Sequence, residues 1–286
     1  MNILVTGANG QLGKEIQTIY DNYSGDKDQF FFTDIDELNV TELKPLNKFV
    51  KKNSISVIIN CAAYTNVDQA EDEEKIAFLV NELAVKNLTA AALENDVKII
   101  HLSTDYVFNG ENYKPYKETD PVNPVSVYGK SKLAGEQKIL ETQTGIIIRT
   151  SWLYSSFGKN FVKTIEKLAR EREELKVVFD QVGSPTYARD LAKTIMKIVF
   201  SPLTPECYGI YHFSNEGVCS WYDLAKEIIS LQDISCNIEP IESKDFPTKA
   251  PRPHYSVLNK SKIKRVFKLD VPHWKDSLQE MMSTLK

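Results

Sequence analysis

The stretch Gly7-Ala8-Asn9-Gly10-Gln11-Leu12-Gly13 decides how the rest of this chain is read. Before it runs Asn2-Ile3-Leu4-Val5-Thr6, a short apolar segment of the kind a buried parallel strand needs. After it, Lys14-Glu15-Ile16-Gln17-Thr18-Ile19-Tyr20 carries apolar residues at helical spacing. A strand that turns through glycines into a helix aims the helix's free N–H groups at the turn, which makes a site for a diphosphate. In that reading Gly7 permits the tight turn, Gly10 lets the backbone approach the pyrophosphate, and Gly13 lets the helix pack close to the sheet. Glycines also mark ordinary turns, so the strand and helix on either side give the motif its weight.

Working outward, the first half repeats the alternation. Phe30–Thr33, Val57–Asn60, Lys98–Leu102 and Gly145–Arg149 read as strands, and Leu43–Lys52, Glu73–Glu94 and Val127–Glu141 as amphipathic helices. Strands and helices in turn with short connections predict an α/β fold: a Rossmann-type doubly wound parallel sheet covered on both faces. The dinucleotide-binding domain is expected over residues 1–150, and a smaller C-terminal substrate-binding lobe over 151–286, with later segments returning to the sheet. In that second half Asn160–Arg172, Arg189–Phe200 and Trp221–Leu231 look helical, and Lys176–Phe179 and Ile210–Phe213 look like strands. A Pro-containing stretch, Phe246–Pro253, precedes two short helical patterns that end near Leu285.

Composition narrows the function classes. The 286 residues carry a formal net charge of -4, 42% hydrophobic and 26% charged residues, an ordinary balance for a soluble globular protein. Nothing in that charge favours nucleic acid or an anionic membrane as partner. Uninterrupted apolar runs fall short of the roughly 20 residues of a membrane span, and no secretory leader pattern opens the chain. Cys61, Cys207, Cys219 and Cys236 form no CxxC pair, and His101, His212, His254 and His273 are scattered without metal-ligand spacing. The expectation is a cytoplasmic protein with no metal site assignable from the sequence.

Ligands of doubly wound sheets bind beyond the carboxyl ends of the strands, so residues just after each strand matter most. Asp34 follows Phe30-Phe31-Phe32-Thr33, where an acid accepts hydrogen bonds from the adenosine ribose and repels a 2′-phosphate. That predicts a modest preference for NADH, with NADPH accepted. Leu102 ends another strand, and Ser103, Thr104, Asp105 and Tyr106 open a loop of more than 20 residues, a length that favours function over mere connection. Tyr128 and Lys132 are four apart at a helix start, so a phenol and an ammonium share one face. A cation beside a phenol favours phenolate, which lowers the tyrosine pKa from about 10 and suits proton transfer to a carbonyl-derived oxygen. Thr104 supplies a hydroxyl to hold that oxygen.

With Gly-x-x-Gly-x-x-Gly at residue 7, Asn60-Cys61-Ala62-Ala63, Ser103–Phe108 and Tyr128-x-x-x-Lys132, the chain resembles the extended short-chain dehydrogenase/reductases. More narrowly it resembles the dTDP-4-dehydrorhamnose reductase family, through Ala62–Asp68, Val127–Glu136, Arg149–Tyr154, Asp180–Thr186 and Arg252-Pro253. These blocks cover essentially the whole chain and are far more specific than the glycine motif. The resemblance implies reduction of the C4 keto group of dTDP-4-dehydro-L-rhamnose to dTDP-L-rhamnose with NADH or NADPH. Under it Tyr128 protonates the developing alkoxide, Thr104 holds that oxygen, and Lys132 orients the nicotinamide ribose and tunes Tyr128. Gly10, Gln11 and Leu12 would meet the pyrophosphate; Ala62, Ala63 and Tyr64 would line the crevice; Asn39-Val40 would lie beside the adenine. Asp105, Trp152 and Arg252 would contact the sugar nucleotide, Arg252 at its diphosphate because a guanidinium suits phosphate geometry. Asn81 matches an asparagine that supports a relay water, and is otherwise a polar helix position.

Two other readings stay open at this point. One is a nucleotide-sugar epimerase or dehydratase of the same family, although Asp105-Tyr106 supplies only half of the Asp-Glu pair a dehydratase places after the threonine. The other is a non-catalytic module resembling the methionine adenosyltransferase beta subunit, which the presence of Thr104, Tyr128 and Lys132 disfavours. The resemblance also leaves open a homodimer and a magnesium ion, since Glu15 matches a carboxylate that binds Mg2+ at a dimer interface in some relatives. By itself a carboxylate on a helix is expected to be solvated.

Overall fold

A computed structural model describes residues 1–23, 28–143 and 145–285. Six strands form one parallel sheet: β1 (Asn2–Thr6), β2 (Gln29–Thr33), β3 (Val57–Asn60), β4 (Lys98–Thr104), β5 (Gly145–Thr150) and β6 (Gly209–His212). Their spatial order is β2-β1-β3-β4-β5-β6. The chain leaves β1 for β2 on one side and β3 on the other, so a crevice opens at the carboxyl ends of β1 and β3. The α/β doubly wound architecture is as the sequence led us to expect.

Alternation along the strands sorts the core into two layers. Ile3, Val5, Ile59, Ile100, Ile146 and Ile148 pack with helix α1 (Gln11–Asp21) and helix Ala188–Val199. Leu4, Ile58, Ile99 and Ile147 pack with helices Leu43–Lys52, Ala84–Asn95 and Val127–Leu140. Each such fully buried aliphatic side chain contributes about 1.5–3 kcal/mol relative to exposure. Toward the carboxyl ends the second layer turns polar. Thr6 Oγ1 donates to Asn60 Oδ1 at 2.7 Å, and Asn60 Nδ2 meets His101 Nδ1 at 2.9 Å, a buried row across β1, β3 and β4.

Residue 150 is not a spatial boundary for the sheet. Strand β6 pairs with β5, and helices Ala188–Val199 and Ser261–Phe267 supply Ile195, Ile198, Ile263 and Phe267 to the sheet's own core. What remains of the second half has a core of its own. There helices Phe161–Glu171, Trp221–Leu231 and Trp274–Ser283 pack around a parallel ladder of Glu174–Val178 with Asn237–Ile241.

The helix expected over Glu73–Glu94 is continuous but not uniform: α-helical turns flank a wide π turn at Leu79–Leu83. Such single wide turns are common at functional sites, and this one carries buried Asn81. The whole span Glu74–Asn95 has 22 residues and is apolar enough by length and composition to cross a membrane, which corrects the reading of uninterrupted runs. Its Ala77, Ala84, Val85, Leu88, Ala91 and Ala92 are buried in protein, and 50% of its most apolar window is covered. That is the pattern of a core helix.

Candidate active site

The glycine turn has the geometry its sequence requires. Gly7 has φ +66, and a Cβ there would stand 2.5 Å from Ala62 N, so the β1 turn passes directly over the segment after β3. A Cβ on Gly13 would stand 2.6 Å from both Gly7 O and Ala8 Cα, so α1 packs on the turn only without a side chain. Gly10 is the N-cap of α1 and no side chain caps it, which leaves first-turn N–H groups facing the turn. A cradle that side chains would fill, ending in an uncapped helix, fits the pyrophosphate of a dinucleotide. Asp34 stands at the end of β2 with Oδ2 accepting from Asn9 N at 3.0 Å and Oδ1 from Ile35 N at 2.8 Å. It therefore braces the turn. Asn39 spends its amide locally, on Glu42 and Thr41, and Val40 is buried.

A loop of the second half closes over this turn. Asn160 Nδ2 donates to Gln11 Oε1 at 2.9 Å, and Gly158 sits against the Gln11 side chain. Ser155 Oγ donates to Glu15 Oε1 at 2.6 Å while Arg189 Nε donates to Glu15 Oε2 at 3.0 Å. Glu15 is thus fully buried rather than solvated, and the cation beside it is the chain's own guanidinium. No group of three or more His, Cys, Asp or Glu suited to a metal ion occurs among the described residues.

Thr104, Tyr128 and Lys132 come together at the ends of β4 and the following helix. Ser126 caps the Tyr128 helix by accepting from Gly129 N, and Gly129 lies so close to Tyr106 O that a Cβ there would overlap it. This seats Tyr128 in a buried pocket beside Thr104. Lys132 Nζ donates to the Leu102 carbonyl at 2.7 Å. Electrostatics run opposite to the expectation from spacing. Burial pushes the Tyr128 phenol above its ordinary pKa, outweighing the opposite effect of the nearby Thr104 hydroxyl, and burial lowers Lys132 to about 8. Lys132 does not make Tyr128 a phenolate here; Tyr128 is held as a neutral phenol, the form a proton donor needs. Asp105, behind Thr104, is raised to about 6 by burial; its Oδ1 accepts from Thr104 Oγ1 at 3.0 Å.

Asn81 is held by three hydrogen bonds. Its Oδ1 accepts from Tyr64 N at 2.9 Å, and its Nδ2 donates to Tyr64 O and Ser131 Oγ, each at 3.0 Å. It therefore ties the segment Ala62-Ala63-Tyr64 to the Tyr128 helix, and the π turn carries it there. Tyr64 is further held by its hydroxyl, which donates to Glu73 at 2.7 Å.

Arg252 and Trp152 lie on the second-half side. Arg252 Nη1 reaches the Tyr106 hydroxyl at 3.3 Å, and the Tyr106 ring meets Tyr128 edge-on at 5.4 Å, so Arg252 adjoins the Thr104–Tyr128 pocket. Its other nitrogen, Nη2, pairs with Asp68 at 2.5 Å. Trp152 adopts φ 50, rare for a bulky residue, and stacks on Trp221 at 3.6 Å. Reading by sequence missed Asp68, Tyr106 and Trp221 as partners. Asp68 had a local signal, since Asn66 caps a new helix just after β3 by accepting from Gln69 N. The Trp152–Trp221 stack is long-range and left no such trace.

Against known proteins, a family model described as RmlD substrate binding domain matches residues 1–286. A dTDP-4-dehydrorhamnose reductase of Aggregatibacter actinomycetemcomitans is 40% identical, over 98% of this chain and 97% of that one. Among solved structures, a dTDP-4-dehydrorhamnose reductase of Clostridium acetobutylicum superposes with TM-score 0.93 at 42% identity, over 100% of this chain and 99% of that one. The Bacillus anthracis counterpart, solved in complex with NADP, has TM-score 0.93 at 38% identity and covers 99% of each chain.

Proposed function

This chain belongs to the RmlD family, and from that premise we propose that it is an NAD(P)H-dependent oxidoreductase of dTDP-rhamnose biosynthesis. It reduces the C4 keto group of dTDP-4-dehydro-L-rhamnose to dTDP-L-rhamnose. The observation that carries the reading is that buried Thr104, Tyr128 and Lys132 gather at the carboxyl edge of the same sheet whose first strand ends in the glycine cradle.

The cradle of Gly7, Gly10, Gln11, Leu12 and Gly13 would hold the cofactor's pyrophosphate, with Ala62, Ala63, Tyr64 and Leu102 along the crevice. A bound NAD(P)H supplies hydride to C4. Tyr128 gives its phenolic proton to the oxygen at C4 as negative charge develops there, and Thr104 would turn its hydroxyl from Asp105 to donate to the same oxygen. Lys132, protonated near neutral pH and anchored on Leu102 O, keeps a positive charge beside the crevice. Arg252 would exchange Asp68 for the diphosphate of the sugar nucleotide, and Trp152 would lie against the sugar. Asp105 orients Thr104 through its hydrogen bond. All four cysteines are free thiols, in keeping with action in the reducing cytoplasm.

The test is to mix protein, NADPH or NADH, and the 4-keto sugar nucleotide. Absorbance of the reduced nicotinamide should fall in step with formation of dTDP-L-rhamnose. A net-unchanged cofactor with altered sugar would indicate an epimerase or dehydratase, and no change in either a non-catalytic module.

A further inference from the structure

Glu136 lies one turn beyond Lys132 on the same helix face and is fully buried. Its Oε1 accepts from Arg149 Nε at 2.8 Å and its Oε2 from Arg149 Nη2 at 2.6 Å. Arg149 comes from β5, is 2% exposed, and lays its guanidinium 5.1 Å from the centre of the Phe108 ring. Its Nη1 has no hydrogen-bond partner. Two ions removed from water in this way stabilise a fold weakly, and apolar residues of similar volume often serve as well or better. Folding alone is therefore a poor account of the pair. Its position suggests another.

We propose that Glu136 and Arg149 are positioning residues for Lys132: the Glu136 carboxylate favours the ammonium, while Arg149 holds that carboxylate back so that Lys132 stays on the Leu102 carbonyl at the crevice. The other titratable groups coupled to Lys132 are Cys61 after β3 and His101 on β4. Burial keeps both neutral near pH 7: it raises the Cys61 thiol to about 12 and holds His101 well below the usual imidazole range. Among the described residues Glu136 is the acidic side chain that raises Lys132 against the effect of burial. Lys132 itself is drawn down to about 8 by burial, with Glu136 opposing. An ammonium that loses its proton so close to neutrality depends on its neighbours, which makes the carboxylate's contribution measurable.

The proposal rests on the reductase reading, so it is tested by one readout that needs turnover and one that does not. Lys132 is titrated by NMR in protein labelled with [ε-13C]lysine, its signal assigned by its loss in Lys132→Met, and the alkaline limb of kcat/KM is recorded in parallel. Glu136→Gln leaves Arg149 as an unopposed cation and should lower the Lys132 midpoint by about one pH unit. Arg149→Met leaves the carboxylate unopposed and should raise it. Glu136→Met/Arg149→Met removes both charges while preserving volume, and should fall between wild type and Glu136→Gln. That double variant carries the test if Arg149→Met does not fold. Midpoints that move in the same direction for both single variants, or that stay within about 0.3 pH unit of wild type in Glu136→Gln and the double variant, overturn the proposal. The ordered NMR shifts without any turnover would instead sustain it and count against the reductase reading.

Discussion

Gly7, Gly10 and Gly13 serve the crevice by what they lack, whereas Thr104, Tyr128 and Lys132 serve it by what they bring into a buried space. At the first, the main chain is proposed to do the recognising, and the constraint is shape: a Cβ on Gly7 or Gly13 would overlap neighbouring backbone at 2.5 and 2.6 Å. At the second, the constraint is chemistry: a hydroxyl, a phenol and an ammonium, each desolvated, the hydroxyl held by Asp105 and the ammonium by the Leu102 carbonyl. The two regions should therefore fail differently when altered.

The largest effect is expected at the chemical end. Tyr128→Phe removes only the donated proton, so turnover should fall by about 10²–10⁴-fold with cofactor affinity nearly intact. Retention of more than about a tenth of wild-type turnover would sink the assignment of Tyr128 as proton donor. Lys132→Met should weaken turnover and cofactor binding together, because its ammonium is proposed to serve both.

The converse pattern is expected at the shape end. Gly7→Ala places a Cβ against Ala62 at a φ of +66, at a strain cost of about 1–3 kcal/mol. Cofactor Kd, read by quenching or calorimetry, should rise by about tenfold to a hundredfold, with residual kcat at saturating cofactor less affected. A Gly7→Ala protein that binds normally but turns over slowly would break the contrast between the two ends.

Smaller effects sharpen it. Arg252→Ala should raise KM for the sugar nucleotide by about tenfold and leave cofactor Kd little changed, since Arg252 adjoins Tyr106 rather than the glycine cradle. Equal loss of both affinities would argue that Arg252 acts through the Asp68 contact on the crevice as a whole. Smallest of all, wild type should favour NADH over NADPH by a few-fold, and Asp34→Ala should erase that preference. A preference for NADPH of about tenfold or more, unchanged in Asp34→Ala, would leave Asp34 only its brace on Asn9 N.

Much of this was legible because it is local. The glycine turn, the strand-end threonine and the Tyr128/Lys132 pair each lie within a few residues of one strand or helix boundary, where spacing fixes geometry. Pairings across the fold were not. That Asp68 holds Arg252, that Trp221 underlies Trp152, and that Arg189 rather than water meets Glu15 all depend on which distant segments are brought together. Burial was the other blind spot. Four-residue spacing correctly placed an ammonium and a phenol on one face, but the sign of the Tyr128 shift depends on how completely the pocket excludes water, and desolvation outweighed every neighbour. Asn81 shows both limits at once, since the wide turn that delivers it to Tyr64 and Ser131 breaks the period on which helix reading relies.

Strand β6 is made late in the chain yet completes the sheet beside β5. Until residues 209–212 are in place, β5 is a rim with an open row of N–H and C=O groups. Its Ile146 and Ile148 also lack the cover of helix Ala188–Val199. Such a rim templates other chains. A fragment of residues 1–150 would carry the glycine cradle and the Tyr128 pocket, and should still sediment as aggregate instead of running as a monomer. The same exposure recurs on the ribosome each time the protein is synthesised, so its yield in a cell should depend on how well that unfinished edge is shielded until the second half emerges.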